Sequence, residues 1–104
     1  MDISFPDSSV RKFIKSLDEG TISKIARTID LLERFGNRLK FPHSKKITKD
    51  IFELRVSGRQ EIRLLYIFRD NQATIVHGFI KKTQKSPRTE LVVAIKKIKL
   101  LQSW

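Results

Sequence analysis

The chain has 104 residues, no cysteine and a formal net charge of +11. This length suits a single domain over residues 1–104, and the lack of cysteine excludes disulfides and cysteine-ligated metal sites. Its apolar runs are far shorter than the roughly 20 residues that span a bilayer, and no signal-peptide pattern opens it, so a cytoplasmic protein without a membrane partner is expected.

The first third of the chain predicts two helices. Apolar residues recur at spacings of three and four over residues 8–18, which is typical of an amphipathic helix. We expect Gly20 to end this helix and Thr21 to cap a second one, whose apolar stripe runs to Phe35. Because the connection is so short, the two helices are expected to form a hairpin.

The rest of the chain predicts three strands and a last helix. Residues 52–56, 62–68 and 73–80 alternate with a period of two and are separated by turn residues, which indicates an antiparallel meander. A final amphipathic helix is expected to begin at Pro87. The order α-α-β-β-β-α therefore predicts an α+β fold.

The excess positive charge belongs to the later part of the chain. Residues 1–36 contain six basic and six acidic residues, whereas residues 37–104 contain sixteen basic and five acidic ones. A clustered basic surface attracts polyanions, because binding releases their counterions. The sequence therefore predicts that a nucleic acid, the ribosome or an acidic protein is the partner.

Several cations lie on the predicted strands or just beyond them. Arg55 is on the first strand, Arg63 is at a polar position on the second, and lysines follow the third. Since neighbouring strands are about 4.8 Å apart, such side chains can converge on one phosphate. RNA can be cut there without a metal ion, since its own 2′-hydroxyl is the nucleophile and the protein supplies a base, an acid and cations. The candidate catalytic residues are Arg55, Arg63, Lys82 and His43, and the candidate RNA-binding residues are Lys45, Lys46, Arg59, Lys81 and Lys85.

Groups that transfer protons are few in this sequence. His43 lies in a predicted loop, where it is either a substrate-contacting residue or an ordinary surface histidine. Tyr66 and His77 are on predicted strands among apolar residues, so a packed role is expected for both. The carboxylates of the basic region are widely spaced and have no metal-ligand pattern, so neither a metal nor another cofactor is expected.

Four segments of the chain together match a known family. They are LLERFG with PHSKK at residues 31–36 and 42–46, IFELRV at 51–56, IRLLY at 62–66 and HGFIKKTQKSP at 77–87. In this order and spacing they resemble the RelE/ParE toxin superfamily, in particular its phage-related HigB-like branch. The last segment is the most distinctive of the four.

The resemblance implies a RelE-like fold, in which a helical hairpin packs on a small twisted antiparallel sheet with a C-terminal helix. It implies the toxin of a type II toxin–antitoxin system, a ribosome-dependent, metal-independent mRNA endoribonuclease that blocks translation. Its implied partners are the ribosome, mRNA and a cognate antitoxin, usually a helix-turn-helix protein. By position, Arg55 and Arg63 match strand residues that act on the scissile phosphate, and Lys81 or Lys82 matches a basic residue of the last strand.

The sequence departs from the superfamily pattern in two places. Only residues 1–5 are available for the strand that normally opens the fold, so this strand is expected to be short. RelE uses a tyrosine near its C-terminus, whereas no tyrosine follows Tyr66 in this sequence. The resemblance therefore does not identify the general base.

Two other functions share the features described so far. ParE toxins have the same fold and inhibit DNA gyrase, and a module that binds RNA or DNA without cutting it needs the same basic surface. The cations on the strands favour RNA cleavage over gyrase inhibition, and the binding module stays open as a third function.

Overall fold

The computed structural model describes residues 1–82 and 88–102. Three helices, one 3₁₀ turn and five strands follow one another in these ranges, and none of the helices is long and apolar enough to cross a membrane. The elements are β1 Asp2–Ser4, α1 Ser8–Lys15, α2 Glu19–Phe35, the 3₁₀ turn Gly36–Arg38, β2 Ser44–Lys46, β3 Phe52–Ser57, β4 Glu61–Arg69, β5 Gln72–Ile80 and α3 Arg88–Gln102. The predicted α+β fold is confirmed.

All five strands belong to one sheet with the order β1-β5-β4-β3-β2. The three long strands form the predicted antiparallel meander, with β4 at its centre. The two short strands lie at the edges: β2 pairs antiparallel with β3, and β1 pairs parallel with β5. The opening strand is therefore as short as expected, whereas β2 and the parallel pairing of β1 were not predicted.

The helical hairpin α1–α2 covers one face of the sheet. Ile25 and Leu32 of α2 are buried against Leu54 of β3 and Leu64 of β4, so the apolar helix stripe meets the apolar strand face. Tyr66 is buried in the same core, and its hydroxyl is hydrogen-bonded to the hydroxyl of Ser44 in β2. The packed role predicted for Tyr66 is confirmed.

The junction between α1 and α2 differs from the prediction. α1 ends at Lys15, and Gly20 lies inside the first turn of α2 instead of ending α1. The reason is that Asp18, and not Thr21, caps α2: its carboxylate accepts the Thr21 backbone N–H at 3.1 Å and the Thr21 hydroxyl at 2.7 Å. An aspartate in this position satisfies a helix N–H that otherwise has no partner.

The last helix, α3, packs on the opposite face of the sheet. Its half-buried apolar side chains lie with Ala94 against the apolar residues on that face of β4 and β5. The predicted stripe of α3, Leu91, Ile95, Ile98 and Leu101, is therefore part of a second core. The predicted helix start at Pro87 lies outside the described residues.

Candidate functional site

Arg55 of β3 and Arg63 of β4 are direct cross-strand partners, as the predicted meander requires. Like charges placed opposite each other across a ladder repel. Glu53 offsets this repulsion, because its Oε1 atom lies 3.8 Å from Nε of Arg55 and 3.6 Å from Nε of Arg63. We call these three residues the Arg–Glu–Arg cluster. Glu53 was not among the predicted site residues.

Arg63 is not the accessible cation that the strand pattern suggested. Its side chain is only 3% exposed, and both terminal nitrogens lie 3.3 Å from Oε1 of Glu61. β4 places Arg63 on the same face as Leu65, beside Phe79 of β5, and this face is covered. The alternation of residues in β4 thus predicted the face on which Arg63 lies. It could not predict that this face is covered, because the covering residues are distant in sequence. In this arrangement Arg63 forms an ion pair with Glu53 and is not open to a substrate.

Arg55 is the accessible member of the Arg–Glu–Arg cluster. Its side chain is 25% exposed, and its guanidinium carbon lies 4.9 Å from the ring centre of Phe41. Its backbone N–H donates to the carbonyl oxygen of His43 at 2.8 Å. The structure therefore brings together Arg55 and His43, two of the predicted catalytic residues.

Arg55 and His43 also line a cleft of about 350 Å³ between α2 and the edge of β3, which we call the α2 cleft. Lys24 and Arg27 of α2 line it as well. Neither was predicted, because they belong to the electrically neutral first third of the chain. The signal that could have found them is their spacing of three residues, which places both on one side of a helix.

Three further predicted cations lie at the same end of the sheet as Arg55. Lys81 and Lys82 directly follow β5, and the Lys81 backbone N–H donates to the Glu61 carbonyl oxygen at 2.8 Å. Arg59 is exposed in the turn between β3 and β4. The end of the meander thus carries exposed positive charge at Arg59 and Lys82.

The two lysines of β2 are exposed and have different neighbours. Lys45 pairs with Glu53 across β2 and β3, and Glu53 lies two residues before Arg55 in β3. Lys46 lies further away, where its Nζ atom is 5.9 Å from the ring centre of Phe52. Lys85 lies outside the described residues.

His77 is packed beneath α3, as predicted, and takes no part in this site. Its Nε2 atom lies 3.4 Å from both carboxylate oxygens of Glu90, and its Nδ1 atom 3.4 Å from Nζ of Lys97. Within residues 1–82 and 88–102, no three His, Asp or Glu side chains group together in a way that could hold a metal ion.

Comparison with known proteins gives one family match and several structural matches. Residues 12–99 match the family described as phage derived protein Gp49-like. The fold is similar to YoeB in the YoeB–YefM complex from Staphylococcus aureus, with 18% sequence identity and a TM-score of 0.56 over 80% of this chain and 97% of that chain. A heterotetrameric YoeB–YefM toxin–antitoxin complex and a YoeB dimer, both from Staphylococcus aureus, match with 19% identity and the same TM-score and coverage. No curated protein sequence matches the chain.

The family match extends from α1 to near the end of α3 and so includes every element of the site. The structural matches are too distant in sequence to show more than a common fold, and that fold is the one expected for a RelE-type toxin. The chain belongs to the phage-derived Gp49-like family and has the fold of YoeB, a protein found in toxin–antitoxin complexes.

Proposed function

We propose that this protein is the toxin of a type II toxin–antitoxin system and cuts messenger RNA on the ribosome without a catalytic metal. The observation that supports this most is the position of Arg55, which is partly exposed, fixed by Glu53 and adjacent to His43 at an open cleft. A cation held in this way can stabilise the charge that develops on a phosphate during cleavage.

The reaction begins when the 2′-oxygen of the substrate attacks the adjacent phosphorus. The bond from phosphorus to the 5′-oxygen breaks, leaving a 2′,3′-cyclic phosphate on one fragment and a 5′-hydroxyl on the other. Arg55 offsets the negative charge on the non-bridging oxygens, and the exposed Lys82 adds a second cation. His43 is exposed beside Arg55, and an imidazole can accept the 2′-hydroxyl proton or donate one to the leaving oxygen.

Arg63 acts on this reaction through Glu53. Its contact with Glu53 fixes the carboxylate, and the carboxylate in turn limits the positions available to the Arg55 guanidinium. We therefore assign Arg63 as a positioning residue and keep the direct contact with the phosphate for Arg55.

In vitro translation with mapping of mRNA ends separates this function from its alternatives. Cuts at the ribosomal A-site codon support the nuclease, halted translation with intact mRNA supports a binding module, and unaffected translation with gyrase inhibition supports a ParE-like toxin. Arg55→Ala is expected to lower cleavage by about 10²-fold. The control is Arg34→Ala, which removes an exposed arginine near the end of α2 and is expected to cut like the wild type.

We further propose that a cognate antitoxin binds beside α3, in a groove of about 620 Å³ that we call the α3 groove. The groove has apolar side chains from α3 and β4, including Ile67 and Ile98, and a basic rim that includes Arg69 and Lys99. An acidic amphipathic segment, such as an extension of a helix-turn-helix antitoxin, complements both features.

Hydrogen exchange on the complex with the protein encoded by the neighbouring reading frame tests this site. Protection of the backbone amides in residues 50–69 and 88–102 is expected, since these segments line the α3 groove. A complex that leaves both segments unprotected contradicts the assignment.

A further inference from the structure

The α2 cleft combines several cations with no acidic side chain among the residues that line it. Lys24 and Arg27 come from α2, and His43 and Arg55 come from the β2–β3 edge of the sheet. Such a cleft favours an anion, because every ionisable group on its walls is basic. Its volume of about 350 Å³ is near the lower end of the range for small-molecule sites, so it suits one nucleotide better than a protein helix.

The two cations that α2 contributes are not neutralised by the rest of the described chain. Nζ of Lys24 approaches the carbonyl oxygen of Ser57 at 3.4 Å, and neither Lys24 nor Arg27 forms an ion pair within residues 1–82 and 88–102. Because they are three residues apart on one helix, both can approach the same phosphate. A bound phosphate would supply the missing negative charge.

Phe41 provides a surface for a base next to this cleft. Its side chain is 68% exposed, an unusual position for a large aromatic residue, and Arg55 lies over its ring. Phe41 directly precedes Pro42 and His43, which line the cleft. Aromatic rings and arginine planes are the surfaces on which unpaired RNA bases stack.

We propose that the α2 cleft binds one nucleotide of single-stranded RNA beside the cleaved step, with its phosphate at Lys24 and Arg27 and its base on Phe41. This rests on the proposed function in one respect, namely that Arg55 is shared between the cleft and the scissile phosphate. The first third of the chain, although electrically neutral, thereby contributes directly to substrate binding. Stacking tolerates any base, so the site adds affinity and fixes the strand without selecting a codon.

Binding of a fully 2′-O-methylated RNA oligonucleotide to the isolated protein, followed by fluorescence anisotropy, tests the site without cleavage or ribosomes. Lys24→Gln/Arg27→Gln is expected to weaken binding at least about tenfold at low salt, and to make the log–log salt slope shallower by about 0.7, because the contact with one phosphate is lost. Phe41→Ala is expected to weaken binding by about tenfold and to leave the salt slope unchanged.

The matched control is Lys12→Gln/Lys15→Gln on α1, which removes the same charge from two exposed lysines at the same spacing. It is expected to change affinity by about twofold or less. An equal loss in both double variants means that only net charge matters and overturns the proposal, and so does unchanged affinity in the α2 variants. Stronger competition by an acidic peptide than by unlabelled RNA also overturns it.

The outcome for the cleft is distinguishable from that for the nuclease. RNA binding with the predicted losses in a protein that leaves translated mRNA intact supports the cleft and contradicts the nuclease. Site-specific mRNA cleavage by a protein whose α2 variants bind RNA normally supports the nuclease and overturns the cleft. Equal thermal unfolding temperatures of the variants establish that the fold is retained.

Discussion

Arg63 carries a charge that is buried in the fold and held by two carboxylates, Glu53 and Glu61. Removing one partner of such a group leaves the other charge in a poorly solvated position. We predict that Arg63→Ala lowers the free energy of unfolding by about 3–5 kcal/mol. Arg55→Ala is expected to lower it by about 1 kcal/mol or less, because Arg55 is partly exposed.

Urea denaturation of the two variants measures this difference directly. Restored stability in Arg63→Met/Glu53→Leu would support the assignment further, since apolar residues of similar volume often replace a buried ion pair without loss. Equal stability of Arg55→Ala and Arg63→Ala contradicts the burial of the Arg63 charge. Arg63 would then be an accessible cation, as its strand pattern suggests.

Burial raises the pKa of Tyr66 above its ordinary value of 10.0, and the hydrogen bond with Ser44 only partly opposes this. As the pH rises, the unfolded chain therefore loses the tyrosine proton before the folded chain does. The stabilising contribution is fully present below about pH 10 and decreases as the pH rises toward the higher pKa of the folded state. We predict that Tyr66→Phe unfolds with a weaker dependence on pH between about pH 9 and pH 11.

The measurement is the urea midpoint of both proteins at several pH values in that range. Parallel curves for the wild type and Tyr66→Phe contradict a buried, protonated tyrosine. The same variant is expected to retain mRNA cleavage, since Tyr66 lies in the core on the face of the sheet opposite the Arg–Glu–Arg cluster.

The contact between α1 and the sheet depends on Gly78 of β5. A Cβ atom at this position would lie 2.8 Å from side-chain carbons of both Leu64 and Phe13. We predict that Gly78→Ala lowers the free energy of unfolding by about 1–3 kcal/mol, because the helix must move away from the sheet. The control is Gly20→Ala, where the nearest atom to the added carbon is Oδ2 of Asp18 at 3.4 Å.

Gly20→Ala is expected to be neutral or slightly stabilising, because alanine favours the helix conformation and nothing has to move. Thermal unfolding of the two variants is the test. If Gly78→Ala is as stable as Gly20→Ala, α1 is not seated against the sheet as closely as described.

Elements with a clear periodicity could be predicted from the sequence. The two helices of the hairpin, the meander and the α3 stripe each repeat for long enough to define a face. The strands β1 and β2 have three residues each, too few to show an alternation, and both form only because a longer strand offers an open edge. The α1–α2 junction was misread because an aspartate and a threonine at near positions can each serve as a cap.

The candidate site could be predicted only where it depends on neighbouring strands. Arg55 and Arg63 could be placed together because a meander fixes its pairing. His43 was a candidate only as a loop residue, and its position next to Arg55 was not predicted. The burial of Arg63 and the role of Glu53 depend on what packs over the sheet, which no local pattern contains. Lys24 reaches the site from a helix that is distant in sequence.

At the scale of the whole molecule, the positive charge is distributed differently in the folded structure than along the sequence. The first 36 residues are neutral in sum, yet their helix α2 contributes cations to the α2 cleft. A neutral segment can present opposite charges in different directions once it is helical. The cations of α2 therefore add to the positive charge that Arg55, Lys81 and Lys82 carry in the later part of the chain.

Removal of one 2′-oxygen from the message tests most directly whether this molecule cuts translated mRNA by means of the substrate's own 2′-hydroxyl. The mRNA is prepared with one 2′-deoxynucleotide at the mapped cut site and compared with the all-RNA message in the same in vitro translation. We predict that the all-RNA message is cut there, with a 2′,3′-cyclic phosphate and a 5′-hydroxyl at the new ends, and that the deoxy message stays intact at that position. Equal cutting of both messages, or fragments that begin with a 5′-phosphate, would contradict the account.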